Sequence, residues 1–210
     1  MLKLDLHVHT KYSKDGFCSI EEIVKVAKAK GLDGFAITDH NTIAGHEEAR
    51  KYSKEILIIP GVEISTTHGH VVALGVHEMI PRGLSPKETV ERIKEQGGVA
   101  IAAHPFILGK DPRLVHKAKF DAIEVLNGRG VLFANSLAAR FARRNGLRGV
   151  GGSDAHRLDE VGLAWTEVRC ERKVADVLKV LREGETSVSG RVLPLPTFLW
   201  RALQKVLLHR

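Results

Sequence analysis

Cysteine is scarce in this chain: 210 residues hold only Cys18 and Cys170, with no CxxC spacing. That excludes a disulfide framework, and the two thiols read as buried or idle. No apolar run approaches the roughly 20 residues that span a bilayer. The opening MLKLDLHVHT is too short and too polar for a secretory signal, so a soluble, cytoplasmic protein is expected. There is no linker and no low-complexity stretch. The basic residues form no dense block interleaved with aromatics, which removes the plainest signature of a nucleic-acid binder.

What is present describes one ordinary domain. An apolar fraction of 43% and a charged fraction of 27% lie near globular averages. The length is sufficient for a core without staples. The net charge of +7 favours anionic partners through long-range attraction.

Strand and helix patterns alternate. Leu2 to Val8, Gly34 to Thr38, Ile56 to Ser65 (interrupted at Pro60-Gly61), Val71 to Val76 and Val99 to Ala103 read as strands. Phe120 to Leu126, Leu147 to Gly151 and Ala164 to Val168 continue the series. Ser19 and Glu22 form a capping box that opens a helix running to Lys30, where Gly31 stops it. Thr42 to Lys54 reads as a second helix. Ser85, Pro86 and Glu88 start a third, which ends at Gly97-Gly98. Further helices are expected near Val131–Asn145 and over Lys173–Glu183.

This rhythm predicts an α/β fold on a mostly parallel sheet, closed as a barrel, with the chemistry at the carboxyl ends of the strands. Beyond residue 192 the pattern changes. A C-terminal segment, 193–210, places Phe198, Leu199, Ala202, Val206 and Leu207 at helical spacing, with Trp200, Arg201, Lys205 and Arg210 among them. It docks on the domain or meets a partner or membrane surface.

Chemistry gathers at the predicted strand ends. His7 and His9 lie two apart on the first strand, so both rings face one side and can share an ion. Asp15 follows a short loop. Asp39 and His40 sit just past the second strand, and Glu63 lies in GVEIS. His70 opens its strand, an exception to the carboxyl-end rule. His104 ends another and precedes Pro105, which disfavours helix there. Asp154 and His156 follow Gly151-Gly152.

Six of the eleven histidines and three carboxylates thus share one rim. Mixed imidazole and carboxylate donors suit zinc, manganese or iron better than calcium. Nine donors match three ions with positions left open for water and substrate. Three divalent ions against three carboxylates leave the site net positive, fit for phosphate.

Read in order, DLHVHTKYSKDG, ITDHN, GVEIS, GHVVALG, AAHP and GGSDAH resemble the motifs of the PHP (polymerase and histidinol phosphatase) family over about residues 1 to 160. The resemblance implies a distorted (β/α)7 barrel, residues 1–192, with a trinuclear metal site. It implies that His7, His9, Glu63 and Asp154 surround a first ion, and that Glu63 bridges to a second completed by His70 and His104. Asp15, His40 and His156 would bind the third, with Asp39 orienting His40. An aspartate at position 15 points away from a strict histidinol phosphatase.

The expected activity is hydrolysis of phosphorylated small molecules or nucleotides by a metal-bound hydroxide, without a covalent protein intermediate. His104 or His156 would move a proton. Arg129, Lys11 and Arg157 are the candidate phosphate contacts. His68, beside His70, is a candidate for the mouth of the site. A nuclease acting on DNA or RNA ends, favoured by the basic charge, is the main alternative. An accessory module of a nucleic-acid-processing complex, motivated by the C-terminal segment, is another. A metal-dependent amidohydrolase also uses HxH on its first strand, but no lysine is placed to bridge its metals. Oligomeric state is not legible.

Overall fold

The computed structural model describes residues 1–130 and 133–208, with side chains up to Arg201. The expectations for Val131, Leu132, His209 and Arg210, and for the side chains of Ala202, Lys205, Val206 and Leu207, lie outside the described residues.

Strands β1 (Leu2–Val8), β2 (Gly34–Ile37), β3 (Leu57–Thr66), β4 (Gly69–Leu74), β5 (Val99–Ala102), β6 (Ala122–Asn127) and β7 (Arg148–Gly152) follow one another around a nearly closed sheet. The chain is an α/β protein with a distorted barrel. Closure is made at the carboxyl end, where Val8 bridges Ala155 in parallel and the His9 amide donates to the Ala155 carbonyl at 2.8 Å. Toward the amino end of β1, an antiparallel pair of β8 (Ala164–Val168) and β9 (Thr186–Gly190) takes the same edge, with Leu2, Lys3 and Leu4 opposite Val168, Glu167 and Thr166. The short, polar β9 gives no strand signal in the sequence.

The helices α1 (Ile20–Ala29), α2 (His46–Ala49), α3 (Pro86–Glu95), α4 (Ala134–Arg144), α5 (Val174–Glu183) and α6 (Leu195–Leu208) complete the fold. Both capping boxes form: Ser19 and Ser85 accept the amides of Glu22 and Glu88, whose carboxylates bond back to the cap amides. The helix expected over Thr42–Lys54 is reduced to α2 and a 3-10 turn, Arg50–Tyr52. No helix among the described residues is long and apolar enough to cross a membrane.

The sheet is less parallel than the alternation predicts. β4 runs antiparallel to both β3 and β5. Only Thr67 and His68 separate β3 from β4, and so short a connection permits a hairpin but no crossover. The reversal explains the exceptional position of His70. The amino end of an antiparallel strand lies on the carboxyl rim of its parallel neighbours, and Ser65 pairs with His70 there. Pro60 does not interrupt β3. It pairs with Ile37, and its carbonyl accepts the Gly75 amide at 2.6 Å.

Inside the barrel, Leu4, Leu6, Leu57, Ile59, Val72, Leu74 and Ile101 form an apolar layer stoppered by Val177, Leu178 and Leu181 of α5. β1 carries a bulge between Asp5 and Val8. A bulge shifts the alternation of side chains, so Leu4 and Leu6 join this layer while His7 and His9 face the same interior above it. Asp5, fully buried, links the two closing strands by accepting the Ser153 amide at 2.8 Å and the Gly162 amide at 2.8 Å.

Gly152 permits the closure. A Cβ there would stand 2.5 Å from the His7 Cβ and 2.8 Å from the His7 amide nitrogen. Gly152→Ala should therefore destabilise the protein by roughly 1–3 kcal/mol and displace His7. A denaturant midpoint measured with metal content checks both effects.

Candidate metal centre

Glu63 is the hub of the carboxyl rim. Its side chain is fully buried, and five imidazoles converge on its two oxygens. Oε1 lies 2.7 Å from His70 Nδ1 and 2.8 Å from His104 Nε2. Oε2 lies 3.0 Å from His40 Nδ1 and 3.3 Å from both His7 Nε2 and His9 Nε2. Asp154 Oδ1 stands 3.2 Å from His9 Nε2 and 3.7 Å from His7 Nε2. On the outer side, Asp15 Oδ2 is 3.3 Å from His156 Nε2, and Asp15 Oδ1 is 3.8 Å from His40 Nε2.

All nine candidate ligands thus meet in one cluster. Their donor atoms fall into sets close enough to share an ion: His7, His9, Glu63 and Asp154; His9, Asp15, His40 and His156; His40, Glu63 and His70. His104 groups with His7 and Glu124 rather than with His70, although both His70 and His104 reach Glu63 Oε1.

Buried polar atoms in native proteins are almost always partnered. Here His7 Nε2, His9 Nε2, Glu63 Oε2 and His104 Nδ1 are buried without a hydrogen-bond partner among the described residues. Three of the four surround one point. Nitrogen and oxygen donors at this spacing, without hydrogen-bond geometry between them, have the chemistry of a divalent-cation site.

Backbone conformation supports the same centre. His104 and Asp154 hold φ of +30° and +54°, the left-handed region that side chains avoid. Strain of about 1–3 kcal/mol at each persists only where surrounding structure enforces it. Glu124 supplies part of that structure. Its Oε2 accepts the His104 amide at 2.8 Å and Asn127 Nδ2 at 3.0 Å, while Oε1 lies 3.0 Å from His7 Nδ1. Carboxylates behind ligating imidazoles fix ring orientation, and losing one costs about 10–100-fold in metal affinity. Glu124→Gln should show that loss by calorimetry with manganese or zinc.

The electrostatics are mutual. Burial alone would push the Glu63 carboxyl up, but the His7, His104 and His40 rings beside it hold it well below the usual range. Asp154 is likewise held low against burial by His7 and His9. Burial pushes His7 down, yet Glu124, Asp154 and Glu63 raise it well above an ordinary imidazole. His9 rises to about 9 against burial, through Asp154 and Glu63.

Metal-free protein at neutral pH therefore holds a proton on His9, and a cation, which binds neutral imidazole, must expel it. Affinity should fall as pH decreases, with at least one proton released per protein at pH 7.5. Titrations in buffers of different ionisation enthalpy test this; identical heats would contradict it.

Other expectations are redistributed. Asp39 is fully buried, but its carboxylate accepts the Thr10 amide at 2.6 Å and the Thr10 hydroxyl at 2.7 Å. It anchors the turn after His9 instead of orienting His40. Lys11 turns away to Glu48 at 2.8 Å. The Arg157 guanidinium lies 5.2 Å over the Phe17 ring, outside the cleft lining. His68 bonds to Thr67 and does not line the cleft.

Arg129 does line the cleft, a cavity of about 200 Å³ above the cluster, together with Lys110, Ile107 and Phe198. Lys110 Nζ stands 3.2 Å from His70 Nε2. Sequence reasoning missed Lys110, Glu124 and Glu160. A glutamate inside the buried strand AIEVLN was a readable signal for Glu124. Nothing in the turn around Lys110 marked it.

A barrel with an imidazole–carboxylate cluster on its carboxyl rim has the donor groups to hold divalent cations. The PHP domain model matches residues 5–79, and the PHP-associated model matches residues 133–186. An uncharacterized Methanocaldococcus jannaschii protein is 52% identical over 117 residues, covering 50% of this chain and 68% of that one. The chain belongs to the PHP family and is a hydrolase of its metal-dependent phosphoesterase class.

A 5'-3' exoribonuclease of Haemophilus influenzae is 38% identical over 105 residues, 47% of this chain and 38% of its own. Among solved structures, a two-domain protein from Bacteroides vulgatus, described as containing a predicted PHP-like metal-dependent phosphoesterase, superimposes with a TM-score of 0.74 at 23% identity. That match covers 90% of this chain and 65% of the other, and shows a shared fold.

Proposed function

We propose that this protein hydrolyses phosphomonoesters of small molecules or nucleotides at a centre of three divalent cations, zinc, manganese or iron. The observation that carries the reading is the convergence of five imidazoles on the buried Glu63 carboxylate, with unpartnered donor atoms around one point. His7, His9, Glu63 and Asp154 would hold the first ion. Glu63 would be shared with a second held by His70 and His104, and Asp15, His40 and His156 would hold the third.

Bound there, the ions supply Lewis acidity toward phosphoryl oxygen and an acidified water. The chain's own residues do the rest. Arg129 and Lys110 offer cationic groups to the incoming phosphate from the cleft wall. Glu124 and Asn127 keep His7, His104 and Asp154 in place. His104 and His156 each aim a ring nitrogen at a ligand carboxylate, so for either one proton transfer competes with ligation. In this reading residues 1–192 are the working barrel and 193–210 an appended segment.

Phosphate release from a panel of nucleotides, bisphosphates and sugar phosphates, repeated with each metal, tests the proposal. No release by demonstrably metal-loaded protein would overturn it. Action on nucleic-acid ends is the second reading, favoured by similarity to the exoribonuclease and by the charge of +7. Shortening of end-labelled strands, with binding that weakens steeply in salt, would separate it from the first.

A further inference from the structure

Helix α6 lies against the mouth of the metal cleft, and three contacts fix the segment there. The Leu193 amide donates to the Gly128 carbonyl at 2.7 Å, one residue before Arg129. Phe198 forms part of the cleft wall. The Arg201 guanidinium, its side chain only 15% exposed, pairs with Glu160 and Asp159.

Glu160 is fully buried, and its other oxygen accepts the His156 amide at 2.7 Å and the Arg157 amide at 3.2 Å. Arg129 Nη1 stands 3.8 Å from the same oxygen. One buried carboxylate therefore joins α6 to the loop that carries a candidate metal ligand. A buried carboxylate left without its counter-charge is costly, so Arg201 and Glu160 hold each other in place.

The cleft that Phe198 helps to wall has a volume of about 200 Å³. That is less than the roughly 300–1,000 Å³ of pockets that engulf drug-sized ligands. A phosphate group fits with its waters. In hydrolysis of a monoester, water oxygen bonds to phosphorus, the bond to the ester oxygen breaks, and that oxygen leaves as an alcohol after taking a proton. Only one substituent needs space beyond the cleft. An internal diester carries a second, and Phe198 stands in the wall that it must cross.

We propose that α6 is a specificity element of the barrel: Phe198 restricts the cleft to terminal phosphates, and Arg201, through Glu160, is the positioning residue that holds the helix to the His156 loop. The inference rests on the phosphate-ester reading and narrows it to monoesters, a terminal phosphate on a chain end included.

Calorimetry on full-length, metal-loaded protein with inorganic phosphate and with diethyl phosphate tests it. Phe198→Ala should narrow the ratio of the two dissociation constants at least tenfold. In a second arm, Arg201→Gln should speed hydrogen exchange of the His156 and Arg157 amides at least tenfold, and Arg201→Lys should restore part of the protection. A ratio within twofold of wild type in Phe198→Ala, with phosphate still bound, overturns the inference alone. Unaltered amide exchange in Arg201→Gln removes the positioning role. Failure of metal-loaded wild type to bind phosphate or to hydrolyse any ester discards the phosphate-ester reading and this inference together.

Discussion

Replacing Glu63 by glutamine is expected to abolish metal binding and activity while leaving the barrel folded. The glutamine side chain has the same shape, so the apolar layer below it is undisturbed. What disappears is a negative charge within 3.3 Å of five imidazoles. In our reading that charge serves two ions at once, so its loss weakens both. We expect kcat/KM to fall by at least about 10³-fold, roughly 4 kcal/mol of transition-state stabilisation. Metal content measured by plasma emission should fall in parallel, with the far-UV spectrum unchanged. A variant that keeps half its metal and a tenth of its activity would remove Glu63 from the centre of the site.

Stripping the cations is expected to have the second large effect, and it extends to stability. Four buried donor atoms lack a partner among the described residues, and each such atom costs about 1–3 kcal/mol. Cations that bind only the folded chain offset this. One site at about 1,000 times its dissociation constant contributes about 4 kcal/mol. For a domain of this size each kcal/mol moves Tm by about 2–4 °C. A strong chelator should therefore lower Tm by roughly 10 °C or more and abolish hydrolysis, and manganese or zinc should restore both. A Tm indifferent to chelation would mean that the cluster is satisfied without metal.

Much of the site was legible because its residues belong to short motifs whose spacing survives in one dimension. HxH on a strand puts two rings on one side, and Gly152 before Ser153 and Asp154 marks a strand end pressed against a neighbour. The sheet was legible in outline, since β1 alternates leucines with polar residues and β2 and β5 are short apolar runs. What escaped depends on the third dimension. The polarity of β4 follows from a two-residue hairpin, and it alone brings His70 to the rim.

Asp39 sits beside His40 in sequence, yet it bonds to Thr10, just past the neighbouring strand β1. Lys11 and Arg157 neighbour the motifs and still face elsewhere, toward Glu48 and Phe17. Lys110, Glu160 and Phe198 come from segments with no motif, and only folding places them around the cleft or behind its ligands. Adjacency in sequence identified the cluster but not what supports or encloses it.

Everything functional here depends on nine side chains from seven parts of the chain sharing cations. Crystals grown with manganese, with data collected for anomalous scattering, examine that directly. We expect up to three peaks among His7, His9, Asp15, His40, Glu63, His70, His104, Asp154 and His156, each about 2.0–2.3 Å from nitrogen or oxygen donors. A map without a peak at saturating manganese, or with Glu63 turned out of the cluster, would contradict the assignment.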